Sequence, residues 1–226
     1  MFRKILIAED RDIMNAGVSQ ALAQLPKAEC IHARYCDEAY LKIRVAISAG
    51  EPFDVLISDL SFIPDGKDHT LTSGEELIAA VKKIQPEIKV IVFSIEERAF
   101  RVKSLFENLH ISGYVSKGRH GIAELKAAIT AVYESGEKFL SAELAHVRND
   151  KSINEIDNYD IELLKLLAKG MTQDQISAQF KESGIGPNSV STVEKRINKL
   201  KINFRANNSI QIVVKAIELG ILNPIN

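Results

Sequence analysis

The sequence predicts two domains: an α/β domain on a five-stranded, parallel, doubly wound sheet, followed by a smaller all-α domain. Three observations lead there. Short apolar runs of β type recur, as RKILIA (3–8), ECIHARY (29–35), FDVLIS (53–58), KVIVFS (89–94) and SGYVS (112–116). Segments between them carry the helical period, among them 12–25 with Ile13, Val18, Leu22 and Leu25, and 74–84 with Leu77, Ile78, Val81 and Ile84. Strands alternating with helices make βαβ units, a parallel sheet and right-handed crossovers. The strand signals then stop. The polar stretch RNDKSINEIDNYD (148–160) has none, and four helical patterns follow at 158–169, 172–182, 187–202 and 209–219. The boundaries read as 1–136 for the first domain, 137–156 for a linker and 157–226 for the second.

At 226 residues, with 46% hydrophobic and 26% charged positions, the chain can fill two modest cores. The opening MFRKILIAED meets acids after four apolar residues, and no later run approaches the ~20 apolar residues of a membrane span. The expectation is a cytoplasmic protein with no membrane partner. Cys30 and Cys36 fit no zinc or redox spacing and are read as reduced and structural. His32, His69, His110, His120 and His146 form no pair at i and i+3 or i+4, so no zinc site is expected.

Each apolar strand except the second runs directly into a residue with chemistry. Strand one ends in Glu9-Asp10, strand three in Asp59, strand four in Ser94 and strand five in Lys117. The carboxyl ends of strands in an open parallel sheet share one edge, where ligands bind at the reversal of strand order. Three acids, a hydroxyl and an amine are thereby aimed at one place. A single aspartate after a strand would read as a turn or cap; the set does not. Clustered carboxylates repel and call for a divalent cation, and an oxygen-only site suits Mg²⁺. An aspartate beside such a cation can take a phosphoryl group as an acyl phosphate. Lysine would offset its charge, and serine would donate to a phosphoryl oxygen.

The order Glu9-Asp10, Asp59, Ser94, Lys117 resembles the receiver domain of two-component response regulators, over about residues 1–136. The resemblance implies a flavodoxin-like fold with Asp59 as the phosphoacceptor, and Glu9, Asp10, Asp59 and the Ser61 carbonyl as Mg²⁺ ligands. It implies Ser94 as the switch hydroxyl, Tyr114 as the switch aromatic, Lys117 as the invariant lysine, and a sensor histidine kinase as the donor. Two departures stand out. Gly118 replaces the family's proline after the lysine, where glycine's access to unusual backbone angles could shape the loop. The loop LSFIPDGKDHTLTSGEEL after Asp59 is several residues longer than usual, similar to that of RcsB-type regulators.

In the second domain AKGMTQDQISAQF (168–180) reads as helix, turn and helix, with Thr172 as N-cap. GIGPNSVSTVEKRINKL (184–200) then reads as a third helix, with Gly186 and Pro187 at its N-cap and first position. Val190, Val193, Ile197 and Leu200 form its core stripe, leaving Asn188, Ser191, Thr192, Lys195 and Lys199 on the face suited to bases and phosphates. The segment 157–222 resembles the LuxR-type helix-turn-helix domain, and the whole chain is similar to NarL/FixJ-type regulators. That implies binding to double-stranded DNA and a phosphorylation-dependent homodimer. The turn before the third helix is about two residues longer than the family's, and Ile156 to Leu164 replaces its LTxREIEVL pattern.

Charge is a weak witness: from residue 151 there are 10 Lys plus Arg against 8 Asp plus Glu, a net of +2, while the first 150 residues carry 19 against 22, a net of −3. Five of the ten cations, Lys195, Arg196, Lys199, Lys201 and Arg205, fall within eleven residues. Two rival classes exist. A helical protein-interaction module could replace the DNA reader. Asp10-Arg11-Asp12 with Ser94 and Lys117 superficially resembles haloacid-dehalogenase phosphatases, but the acidic pair that family needs after the lysine is missing. No enzyme activity beyond slow self-dephosphorylation is expected.

Overall fold

A computed structural model describes residues 2–11, 14, 17–19, 22, 28–63, 66, 68–149, 153 and 155–223. The chain divides into two compact units, Met1–Glu97 with Val102–Ala145, and Arg98–Arg101 with His146–Asn226.

The first unit is built on a parallel sheet in the order β2-β1-β3-β4-β5-β6. Its strands are β1 (Lys4–Ala8), β2 (Glu29–Ala33), β3 (Val55–Ser58), β4 (Lys89–Ser94), β5 (Gly113–Ser116) and β6 (Phe139–Leu140). The five strands read from sequence are present, and the sheet gains a sixth. Phe139 and Leu140 pair with Gly113 and Tyr114 from inside the segment assigned to the linker. Two residues carry no alternation for a periodicity argument to find. The helices are α1 (Cys36–Ser48), α2 (Gly74–Ile84), α3 (Ala99–Asn108) and α4 (Gly121–Glu134). Between β1 and β2 residues 14, 17–19 and 22 are helical, with Val18 and Leu22 buried, while Ile13 and Leu25 lie outside the described residues.

Both faces of the sheet are covered, so its strands are apolar throughout rather than alternating. On one face Ile5, Ile7, Val55, Ile57, Ile91, Phe93 and Val115 pack with Val18, Leu22 and the α4 residues Leu125, Ala128, Ile129 and Val132. The intervening Leu6, Leu56, Val90 and Val92 are equally buried. Each such side chain contributes about 1.5–3 kcal/mol on burial. On α2, Leu77, Ile78 and Val81 are buried as expected, but Ile84 is exposed because it is the helix's last residue.

The sheet order places the site. The chain crosses from β1 to β2 on one side and then to β3 on the other, so the crevice opens between the ends of β1 and β3. Registers Ala8↔Ser58 and Ser58↔Val92 bring Glu9 and Asp59 to one edge.

The second unit contains α5 (Asn158–Ala168), α6 (Gln173–Glu182), α7 (Val190–Phe204) and α8 (Ser209–Glu218). Each starts on a side-chain cap, namely Asp157, Thr172, Ser189 and Asn208, and those at Asp157 and Thr172 are full capping boxes with Asp160 and Gln175. The third helix thus begins at Val190 rather than at Pro187. The Ser189 hydroxyl accepts from the Thr192 N–H at 3.2 Å, a bond that a Gly-Pro start cannot supply. Val190 consequently leaves the core stripe and is exposed, and the stripe continues as Val193, Ile197, Leu200 and Phe204. Leu163, Leu164, Ile176, Phe180, Ile212 and Ala216 complete that core.

One backbone contact has steric consequences. Gly74 opens α2 with its N–H on the Leu60 carbonyl at 3.0 Å, and a Cβ there would lie 1.9 Å from the Asp59 carbonyl oxygen. Overpacking of this kind costs typically about 1–3 kcal/mol. Gly74→Ala should lower the urea stability of the first unit by at least that much, whereas Gly17→Ala, whose Cβ would meet only Ile122 Cδ1 at 3.6 Å, should change it far less.

Candidate functional site

Glu9 and Asp10 follow β1, and Asp59 follows β3. Their carboxylates each offer an oxygen within 4.8 Å of the others, the sole such acidic, Cys or His cluster among the described residues. Lys117, after β5, reaches into this cluster. Its ammonium donates to Glu9 Oε2 at 2.5 Å and to Asp59 Oδ2. The three side chains are 5%, 3% and 7% exposed, so the charges meet out of water, where pairing matters most. The Phe93 ring lies 5.5 Å from the Lys117 nitrogen. Burial pushes the Glu9 carboxyl above its usual range; Lys117 pulls it back, and the Asp59 charge adds to the rise. A further positive charge would relieve that site.

The remaining valences point the same way. Asp59 Oδ1 accepts from the Leu60 N–H at 2.6 Å and the Ser61 N–H at 3.3 Å, which holds Ser61 beside the acids. Asp10 Oδ2 accepts from the Ile63 N–H at 2.7 Å, and Asp10 Oδ1 is buried without a hydrogen-bond partner. Ser94 ends β4 fully buried, and its hydroxyl too has no partner. The unpartnered Asp10 oxygen belongs to a cluster of three carboxylates, a donor set that suits a cation. The donors are oxygens only, which fits a hard cation such as Mg²⁺.

Tyr114 is buried within β5, and its hydroxyl donates to the Glu96 carbonyl. Sequence reasoning missed the neighbours that tie this strand down: Ser116 Oγ donates to Glu97 at 3.1 Å, and the Ser116 N–H donates to Ser141 Oγ at 2.9 Å. Gly118 does not use a left-handed backbone angle. A Cβ there would lie 3.0 Å from Glu143 Oε2, the far end of an exposed side chain. Cys36 is buried, and burial, followed by the charges of Asp37, Glu76, Asp10 and Asp59, pushes its thiol up to about 12, in keeping with an inert structural residue. Of the Asp10-Arg11-Asp12 triplet, Asp12 lies outside the described residues.

In the second unit α6, its turn and α7 have helix-turn-helix connectivity. Lys195 is exposed opposite Val193 and Ile197 and has no carboxylate partner among the described residues. Lys199 is half-buried and sits 3.4 Å from Glu155. Ser191 and Thr192 gather at the start of α7, 3.0 and 2.9 Å from the Ser189 hydroxyl. Asn188 is turned inward: its side chain donates to the Ile185 carbonyl at 3.3 Å, and its own carbonyl accepts from Ser177 at 2.6 Å. Arg196 is an internal fastener. It donates to Asp157 at 2.5 Å, lies 3.5 Å from Asp160 and covers the Tyr159 ring at 4.9 Å, while the Tyr159 hydroxyl donates to the Pro187 carbonyl at 3.0 Å. Burial and the Asp157 charge push the Asp160 carboxyl up, with Arg196 opposing.

Comparison with known proteins gives three findings. Residues 128–226 match DUF5932, a family of unknown function. Over nearly the whole chain the sequence is similar to the response regulator GacA of Pseudomonas aeruginosa, 23% identical over 97% of this chain and 98% of that one, and to GacA of Pseudomonas syringae pv. syringae, 24% identical over the same shares. The fold is similar to that of RcsB. An RcsB–DNA complex superposes with a TM-score of 0.64 at 19% identity, covering 96% of this chain and 98% of that one. RcsB of Salmonella enterica serovar Typhimurium, bound to promoter rprA in the presence of phosphomimetic BeF3−, does so with 0.61 at 20% identity, covering 94% and 97%.

Arg196→Met keeps the length and apolar stem of the side chain but leaves the buried Asp160 without its cation. It should cost about 1–3 kcal/mol in urea unfolding, and Lys195→Met, at a position with no such partner, should cost almost nothing. Equal losses would remove the distinction between fastener and free cation.

Proposed function

We propose that the protein is a phosphorylation-controlled, DNA-binding transcriptional response regulator that accepts a phosphoryl group on Asp59 from a sensor histidine kinase. The observation that carries this reading is the Glu9/Asp10/Asp59 cluster, with Lys117 bridging Glu9 and Asp59; the Ser94 hydroxyl is unpaired at the end of β4, where the Ser94 carbonyl accepts from the Lys117 N–H. Asp59 supplies the nucleophilic oxygen. Glu9 and Asp10 would hold Mg²⁺ with Asp59 and the Ser61 carbonyl, and when bound the ion supplies charge neutralisation for the phosphoryl oxygens. Lys117 is close enough to Asp59 to exchange a carboxylate oxygen for a phosphoryl oxygen. Ser94 is fixed by β4 with a free O–H, ready to donate to the new dianion, and Tyr114 is the aromatic whose position that rearrangement would change.

The output is DNA binding by α7. Lys195 and Lys199, with Ser191 and Thr192, are the side chains we assign to base and phosphate contacts; Asn188 enters only if it leaves its present hydrogen bonds. Ile210 and Val214, one turn apart and exposed on α8, support self-association, as does the two-fold logic of helix-turn-helix operators. The resemblance to GacA and to the DNA-bound RcsB structures supports the same assignment. Phosphorylation would raise the dimer population.

With acetyl phosphate and Mg²⁺ the intact mass should rise by one phosphoryl group, labile in base, and Asp59→Asn should take none. Full labelling of Asp59→Asn would show that another acid is the acceptor. On a specific operator Lys195→Ala should lose about 1–3 kcal/mol if it reads a guanine edge, or a smaller amount uniform across sequences if it meets phosphate. Parent binding should fall steeply with salt. Undiminished affinity of Lys195→Ala at every salt concentration would transfer the assignment to a protein-interaction module.

A further inference from the structure

The long segment between β3 and α2 is fastened by carboxylates that accept its backbone N–H groups. Its outgoing arm gives the Ile63 N–H to Asp10 Oδ2 at 2.7 Å. Its incoming arm gives the Thr70 N–H to Asp37 Oδ2 at 2.8 Å and the Leu71 N–H to Asp37 Oδ1 at 3.0 Å. Asp37 lies in the first turn of α1, beside Tyr35, whose ring stacks on His69 at 5.0 Å between centroids and an interplanar angle of 21°. His69 Nδ1 is also 3.4 Å from Asp37 Oδ2. Both arms line a cavity of about 100 Å³, Phe62 and Ile63 from the outgoing arm and His69 and Leu71 from the incoming one, together with Tyr35 and Cys36.

This arrangement links a residue outside the acidic cluster to one inside it. Leu71, which Asp37 clasps, lines the same cavity as Ile63, and the Ile63 N–H engages one oxygen of the Asp10 carboxylate. With Oδ2 so engaged, the other oxygen of Asp10 is left buried and unpartnered. Outer hydrogen-bond partners of this kind orient metal ligands and are commonly worth about 10–100-fold in metal affinity.

We propose that Asp37 is a positioning residue for the divalent-cation site: by clasping the Thr70 and Leu71 amides it holds the segment in the form in which Ile63 orients Asp10. The proposal rests on the phosphoryl-acceptor reading of the acidic site and adds to it a determinant that lies on a different helix and touches no ligand. A carboxylate that merely secured a surface loop would affect stability and leave cation binding alone.

The test compares the full-length parent with Asp37→Ala, Asp37→Asn and Glu38→Ala. Glu38 belongs to the same helical turn, but its carboxylate accepts from the Arg34 N–H and from Lys42, each at 2.8 Å, and among the described residues from nothing in the loop. Mg²⁺ affinity is measured by titration calorimetry on unphosphorylated protein, and exchange of the Ile63 amide by NMR. Asp37→Ala should bind Mg²⁺ about tenfold more weakly, at the lower end of outer-partner effects, with faster exchange at Ile63 as well as at Thr70 and Leu71. Asp37→Asn, which keeps one acceptor oxygen, should fall between, and it decides the matter if the alanine variant does not fold. Glu38→Ala should match the parent. Phosphorylation of Asp37→Ala by acetyl phosphate should recover at high Mg²⁺. Unchanged Mg²⁺ affinity in a folded Asp37 variant, unchanged Ile63 exchange, or an equal loss in Glu38→Ala each overturns the proposal. A parent that takes no phosphoryl group at all instead overturns the reading of the acidic site, and the Mg²⁺ comparison still judges Asp37.

Discussion

The first unit depends on one ammonium group. Without Lys117 the chain would bury Glu9 and Asp59 side by side with no counter-charge, and a buried pair broken at one end typically costs about 3–5 kcal/mol. Glu9 shows the tension directly, since its carboxyl is still driven upward by burial with the lysine in contact. The same constraint explains why so much else converges there. β5 must end where the lysine can reach the ends of β1 and β3, and the Leu60 and Ser61 amides must face Asp59. A site so arranged is stable enough to persist and unsatisfied enough to accept a ligand.

Much of this was legible in the sequence because a parallel sheet converts sequence order into position. Glu9, Asp10, Asp59, Ser94 and Lys117 could be placed together from strand ends alone, since all the strands run the same way. What periodicity could not show has specific causes. β6 is two residues long, too short to carry a pattern. The start of α7 was misplaced because Gly186-Pro187 and Ser189 are both credible starts, and the hydroxyl bond at Ser189 decides between them. Val190 moved out of the core for that reason. The Glu143 carboxylate approaches Gly118 from 25 residues further along the chain, and Arg196 could not be told from Lys195 because its partner Asp157 is 39 residues away. Pairings across such distances leave no local signal.

The second unit uses its charges unevenly. Arg196 and its two aspartates tie the start of α5 to the middle of α7, and Tyr159 reaches the carbonyl just before α7. That fixes the helix about its own axis, so the direction in which Lys195 projects is set by contacts on the opposite side. The weak net charge of the unit is then less telling than its distribution, because some of its cations are spent on internal geometry.

The neck of the long loop has a different implication. The Gly74 N–H meets the Leu60 carbonyl, and Ser61 bridges to Ser73, so the chain is pinched shut immediately after Asp59 and immediately before α2. The pinch holds the strand that carries Asp59 independently of the loop's length, while Ile63 still reaches Asp10 from beyond it. Residues can be added or lost there without shifting the acceptor carboxylate, at a closure entropy that rises only by about 0.6 kcal/mol per doubling of length. Between the fastened Ile63 and Thr70 the loop is therefore a place where sequence and length can vary while the Asp59 carboxylate keeps its position, with a single missing β-carbon at Gly74 as the condition that permits it.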